Sequence, residues 1–284
     1  MEFTSEQIKI AKRLSYGGNL FRSYFFRNSS FIEQFENNYQ ALVCFVENYA
    51  YQRQGAPTSS YSKIAKKSIE NRFSSNMKSV TLMDAKEVWK DYKEIAKNEF
   101  NNLEVNKTHN PMSSDSGILT VMAKKNITNF ASYIKGSIQN NQTKDAHELV
   151  DSIRGIGSKI ASLYLRDIAY LGKIPENRIR EQYYLQPVDT WIEQTLSIIL
   201  GKKKPKVLKE KQKIIGDLCK AANVSPIAFS QGAWVLGSEI SGDFNTFQQI
   251  AKGENAVSII KDYLKEEKEY VSKIEQFLNH WPEL

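Results

Sequence analysis

The sequence is poor in the residues that build covalent or metal frameworks. Two cysteines, Cys44 and Cys219, are too few for a disulfide scaffold and cannot hold a four-cysteine iron–sulfur cluster. The three histidines, His109, His147 and His280, are scattered and lack the spacing of zinc ligands. No metal site and no required cofactor are therefore expected. No apolar run approaches the length of a membrane span, and the N-terminal MEFTSEQIKIAKRL has no apolar core of the signal-peptide kind. Strand-like alternation, internal repeats and low-complexity segments are missing as well. A soluble protein of a reducing compartment is expected, cytoplasmic and nucleoid-associated or nuclear, with no membrane partner.

What remains is ordinary globular composition with a basic bias. At 284 residues the chain exceeds a typical single domain, so two lobes or one large domain is expected. Hydrophobic residues make up 41%, enough to bury a substantial core. The formal net charge of +7 favours a polyanionic partner such as nucleic acid. Apolar residues recur at three- and four-residue steps through most of the chain. Helices are expected at 5–15, 30–50, YSKIAKKSIENRF, 82–100, TNFASYIKGSI, KDAHELVDSI and SKIASLYLRDIAYLG, then near 189–200, 206–222, 226–240, 244–252 and 255–280. Loops are expected at 53–60, 101–117 and 173–187, from their Gly, Pro, Ser and Asn content. The fold class is all-α.

One stretch interrupts the helical pattern. In SIRGIGSKIASLYL, Ser152 to Leu165, Gly155 and Gly157 separate two helical segments. Glycine inside a helix costs roughly 1 kcal/mol relative to alanine, so two so close together mark a tight turn between helices. The N–H groups of such a turn, at the positive end of the next helix, form an anion site. Arg154 and Lys159 flank it with positive charge. A simple turn with no ligand is the alternative. Downstream, QPVDTWIEQTL places Asp189 at the start of another helix; taken alone, Asp189 reads as an N-cap worth about 1 kcal/mol.

Ile153 to Ala161, together with PVDTWI, resembles the helix-hairpin-helix and Gly/Pro-Asp signature of a DNA glycosylase superfamily that includes endonuclease III and the 8-oxoguanine DNA glycosylases. That hairpin reads hydrophobic-Pro-Gly-hydrophobic-Gly-x-Lys-x-Ala, and here Arg154 replaces the proline. The family's catalytic lysine falls on Lys159 and its catalytic aspartate on Asp189. FSQGAWVLGSEIS, 229–241, resembles a later family helix, and NYAYQRQGAPTSSYSKIAKKSI, 48–69, resembles the early helix and loop whose polar residue fills the hole left by a flipped base. Gln52 and Gln54 are the candidates for that role. The Lys159-to-Asp189 segment is longer than is usual in the family, so 172–187 reads as an insertion. Leu163 stands where eukaryotic-type 8-oxoguanine enzymes carry a cysteine.

The resemblance implies two helical lobes with a DNA-binding hairpin at their cleft. One lobe would be 40–170, ending in the hairpin at about 144–171; the other would be 1–39 with 171–284. It implies a monomeric base-excision repair glycosylase with AP lyase activity on double-stranded DNA. The flipped base is damaged or modified, with an oxidised purine such as 8-oxoguanine favoured. Lys159 would be the nucleophile and Asp189 the carboxylate that stabilises charge on the sugar. Arg154, Gly155, Ile156, Gly157 and Ser158 would grip the DNA backbone, with a monovalent or magnesium ion on the turn carbonyls. Trp191, Tyr184 and Trp234 are candidates for the base pocket, with Tyr183 and Trp281 also available; aromatics at helical spacing equally describe a core. The basic run GKKKPKVLKEKQK, 201–213, reads as a phosphate contact or as a solvated helix face. For Lys159 the alternative is a phosphate-binding lysine. Two other functions stay open: a non-enzymatic hairpin that binds DNA, and a glycosylase directed at modified viral bases.

Overall fold

The structure, a computed structural model, describes residues 2–26, 29–52, 58–74, 77–100, 109–201 and 204–279. Among the described residues every regular element is helical and none is a strand. The chain packs as two compact units, Ser23–Pro187 and the discontinuous Met1–Arg22 plus Val188–Leu284. The two units meet along the chain at 22/23 and 187/188; the lobes that the resemblance implies would meet at 39/40 and 170/171.

Helix α1 is Ser5–Phe25. It runs through Gly17 and Gly18, where periodicity stops the expected helix at residue 15. The reason is a backbone crossing inside the discontinuous unit. A Cβ on Gly18 would lie 1.9 Å from the Ala228 carbonyl oxygen, and one on Gly232 would lie 1.7 Å from that of Leu14. Only glycine at both positions lets these two backbones touch.

The continuous unit holds α2 (Ser30–Glu33), α3 (Asn38–Asn48), α4 (Thr58–Arg72), α5 (Leu82–Glu99), α6 (Ile118–Lys125), α7 (Phe130–Gln139), α8 (Thr143–Asp151) and α9 (Ser158–Leu171). The expected helix at 30–50 is thus two helices. Asn37 breaks it, because its side chain accepts from the Gln40 N–H at 3.0 Å and caps α3. Thr81 and Asp84 form a reciprocal capping box at the start of α5. The core centres on Tyr164 of α9, whose ring packs on Phe45 at 5.0 Å, Tyr49 at 4.9 Å and Phe130 at 5.6 Å. Next to them the buried Arg166 Nε donates to Asp167 Oδ1 at 2.8 Å, and Tyr49 Oη donates to Asp167 Oδ2 at 3.2 Å. One face of α9 is therefore locked by aromatic packing and a paired buried charge.

The expected loop at 173–187 contains two short 3-10 turns, Glu176–Arg178 and Gln182–Leu185. The discontinuous unit then continues through α10 (Thr190–Leu200), α11 (Leu208–Ala222), α12 (Pro226–Trp234), α13 (Phe244–Lys252) and α14 (Ala256–Asn279). After α12 the chain winds into a π-helical turn, Val235–Ser241. Leu14, Leu196, Leu218, Phe229 and Phe247 fill this unit's core. No helix among the described residues is long and apolar enough to cross a membrane.

Candidate functional site

Helices α8 and α9 and the turn between them form the helical hairpin. Ile153 and Ile156 are buried and pin the turn to the core, and the Ile156 N–H donates to the Ile153 carbonyl at 2.9 Å. The two glycines then differ sharply. Gly155 has φ +77°, a left-handed conformation that an L side chain adopts only with strain. Gly157, the N-cap of α9, has φ −120° and ψ 172°, extended backbone open to any residue. A Cβ there would meet nothing within 4 Å. The fold demands glycine at 155; at 157 nothing among the described residues does.

The first turn of α9 is left open. Gly157 has no side chain with which to cap it, and the N–H groups of Gly157, Ser158 and Lys159 meet no acceptor among the described residues. These are the orphan donors of a helix start, at the positive end of a 14-residue dipole. Lys159 is exposed on this turn.

Two side-chain contacts brace the hairpin. Arg154 donates its backbone N–H to the Ser116 carbonyl at 2.8 Å and its Nε to Ser116 Oγ at 3.0 Å. On the other side, His147 Nε2 lies 3.3 Å from both the carbonyl oxygen and the hydroxyl of Ser158, and 3.2 Å from Ser162 Oγ. Burial pushes the His147 imidazole below its ordinary range; the Ser158 carbonyl, Asp151 and Glu148 only partly offset this. The His147 ring also packs on Tyr184, centroids 5.0 Å apart, and Tyr184 packs on Tyr183 at 4.5 Å. The 3-10 turn at Gln182–Leu185 thus rests against both hairpin helices. Tyr184 is half-buried there. Burial raises the Tyr183 hydroxyl well above its ordinary value, reinforced by its hydrogen bonds to Tyr184 and Glu181.

Asp189 belongs to the discontinuous unit. It is the N-cap of α10, with Oδ1 accepting from the Ile192 N–H at 2.9 Å. Trp191 turns into the core of that unit. Its ring meets Phe247 at 5.2 Å, and a Cβ on Gly237 would lie 2.1 Å from it. Trp234 is half-buried at the end of α12. Lys204 and Lys211, from the basic run at 201–213, both pair with Glu193 of α10. Gln52 is exposed just beyond α3, its N–H donating to the Tyr49 carbonyl at 3.1 Å. Gln54, Lys202, Lys203 and Trp281 lie outside the described residues.

Sequence reasoning missed Ser116 and His147. Ser116 sits in the expected loop at 101–117, far along the chain from Arg154, and no local spacing points to it. His147 has no zinc partner in the sequence, but its place on the helix before the glycine turn is a usable signal. Among the described residues no group of three or more His, Cys, Asp or Glu side chains gathers to hold a metal ion. No protein-family model, curated protein or solved structure matches the chain.

Proposed function

We propose that the chain is a DNA glycosylase with AP lyase activity, acting on a damaged or modified base flipped out of the duplex. The observation that carries this reading is the open first turn of α9. Unpartnered N–H groups, a helix dipole and the exposed Lys159 converge at a glycine that the fold itself does not require. Those donors suit a phosphate of the DNA backbone, and a glycine leaves room for close approach. A cation at the turn would meet only backbone-carbonyl oxygens, those of Ile153 and Gly157 already accepting from the Ile156 and Ala161 N–H groups, and no acidic side chain of the turn itself. That donor set fits a weakly held monovalent cation better than magnesium, and such an ion would strengthen backbone grip alone.

In the proposed chemistry the Lys159 nitrogen adds through its lone pair to C1′ of the flipped nucleotide as the base departs with the bonding electron pair, and the proton released from the alkylated nitrogen passes to the departing base. The Asp189 carboxylate stabilises positive charge on the sugar in the transition state. The sugar ring then opens to a Schiff base on Lys159. Loss of a C2′ proton expels the 3′ phosphate, which cuts the strand. An oxidised purine such as 8-oxoguanine is the first substrate to try. Oligonucleotides carrying 8-oxoguanine, oxidised pyrimidines, uracil, alkylated purines or modified cytosines should be screened with and without alkali. Strand cleavage without alkali is expected for at least one of them; no excision of any base would overturn the enzyme assignment.

A second reading is a hairpin that binds DNA without chemistry. It is favoured by the Asp189–Ile192 hydrogen bond, which gives Asp189 a complete structural role as a helix cap. Retained duplex binding with no excision would select it.

A further inference from the structure

We propose that Ser116 is a positioning residue for Arg154, presenting the Arg154 guanidinium as a pre-oriented clamp for a DNA phosphate. This rests on the DNA-binding reading above. Ser116 holds one residue at two points: its carbonyl accepts the Arg154 backbone N–H at 2.8 Å, and its hydroxyl accepts Arg154 Nε at 3.0 Å. Nη1 and Nη2 meet no acceptor among the described residues. A guanidinium carries five N–H donors in a planar fork. Fixing it through Nε leaves the two-pronged end available for two parallel bonds to phosphate oxygens.

Ser116 can act as a mount because its loop is itself rigid. Asn110 is only 4% exposed, and its Oδ1 accepts from the Met112 N–H at 2.9 Å and from Tyr51 Oη at 3.0 Å. The Ser113 N–H donates to the Asn110 carbonyl at 3.0 Å, and the Gly117 N–H donates to that of Ser113 at 2.8 Å. Thr120 Oγ1 donates to the Ser114 carbonyl at 2.9 Å. A Cβ on Gly117 would lie 2.5 Å from the carbonyl oxygens of Pro111 and Ser113, so the loop closes on itself with no slack. The Tyr51 bond also fixes the backbone immediately before Gln52. One loop, buried at Asn110 to Ser113 and at Gly117, therefore bonds to both the hairpin arginine and Tyr51 beside Gln52. In the hairpin pattern that this sequence resembles, proline stands at the Arg154 position. Proline has no N–H, so the Ser116 brace belongs to this chain's own solution. Orienting the arginine before DNA arrives removes part of the side-chain entropy cost of binding.

The test is binding of the full chain to a duplex with a tetrahydrofuran abasic-site analogue, at several salt concentrations. Arg154→Met is expected to weaken binding about tenfold and to lower the salt slope by about one. Ser116→Ala should weaken it about fivefold with the slope retained, because the charge remains. Ser116→Thr should restore it. In the Arg154→Met background Ser116→Ala should add nothing. An equal loss in both backgrounds would make Ser116 a general structural residue and overturn the proposal. Arg154→Lys guards against a misfolded alanine variant: it keeps the charge and the backbone bond but loses the oriented fork. Wild-type affinity in Arg154→Lys would also overturn the proposal. No binding of any duplex by the wild-type chain would instead overturn the DNA reading itself.

Discussion

Helices α9 and α10 begin in opposite ways. At α10 a carboxylate caps the start, with Asp189 accepting from the Ile192 N–H at 2.9 Å. At α9 a bare glycine leaves the first N–H groups without an acceptor among the described residues. Asn37, Thr81, Asn129, Asp189, Ser225 and Asp243 all cap helices through their side chains, so the sequence readily supplies caps. Helix α6 also starts at a glycine, Gly117, but there a Cβ would strike backbone carbonyls at 2.5 Å. Gly157 has no such excuse. An open, uncrowded helix start beside a lysine stands ready for a ligand from outside; a capped start is already satisfied.

The largest expected effect separates the two roles of Asp189. Asparagine caps helices as well as aspartate does, so Asp189→Asn should change the unfolding free energy by less than about 0.5 kcal/mol. Excision measured in single turnovers should nevertheless fall by about 100-fold or more, because the charge is gone. Asp189→Ala should lose the cap as well, about 1 kcal/mol in a denaturant melt. Unimpaired excision by Asp189→Asn would reduce the residue to a helix cap.

The contrast between the hairpin glycines can be broken from each side. Gly155→Ala forces a side chain into left-handed backbone and should cost about 1–2 kcal/mol in urea unfolding. Gly157→Ser makes α9 begin as α10 does. It should raise stability by a few tenths of a kcal/mol while weakening duplex binding about tenfold, as a hydroxyl takes up the N–H groups. Unchanged DNA affinity in Gly157→Ser would remove the open helix start from the interface.

The smallest effect lies behind the hairpin. Burial lowers the folded-state pKa of His147, so near its ordinary value the unfolded chain binds more protons than the folded one. Stability should therefore fall as pH drops below about 6.5, levelling off once pH is below the folded-state pKa. His147→Gln should flatten that part of the pH–stability profile. An unchanged profile would show that His147 is not the group responsible.

Much of this was legible in local pattern. Gly155 and Gly157 announced the turn, and Asp189 before TWIEQTL announced a cap, because both depend on backbone geometry within a few residues. Less legible was anything set by distant packing. Gly17 and Gly18 suggest the end of α1 until Gly232 is seen to meet it. Trp191, considered for a base pocket, packs on Gly237 and Phe247, and no helical spacing reveals such a partner. The 172–187 segment reads as an insertion, and no local pattern shows that its Tyr184 packs on His147. Ser116 gave no sign at all, since its partner Arg154 lies three helices further along the fold.

The most direct test of the central claim is borohydride trapping on DNA containing an abasic site. The wild-type chain should form a covalent protein–DNA adduct through Lys159, and Lys159→Gln should form none while still binding the duplex. Trapping at wild-type level in Lys159→Gln would contradict the nucleophile assignment.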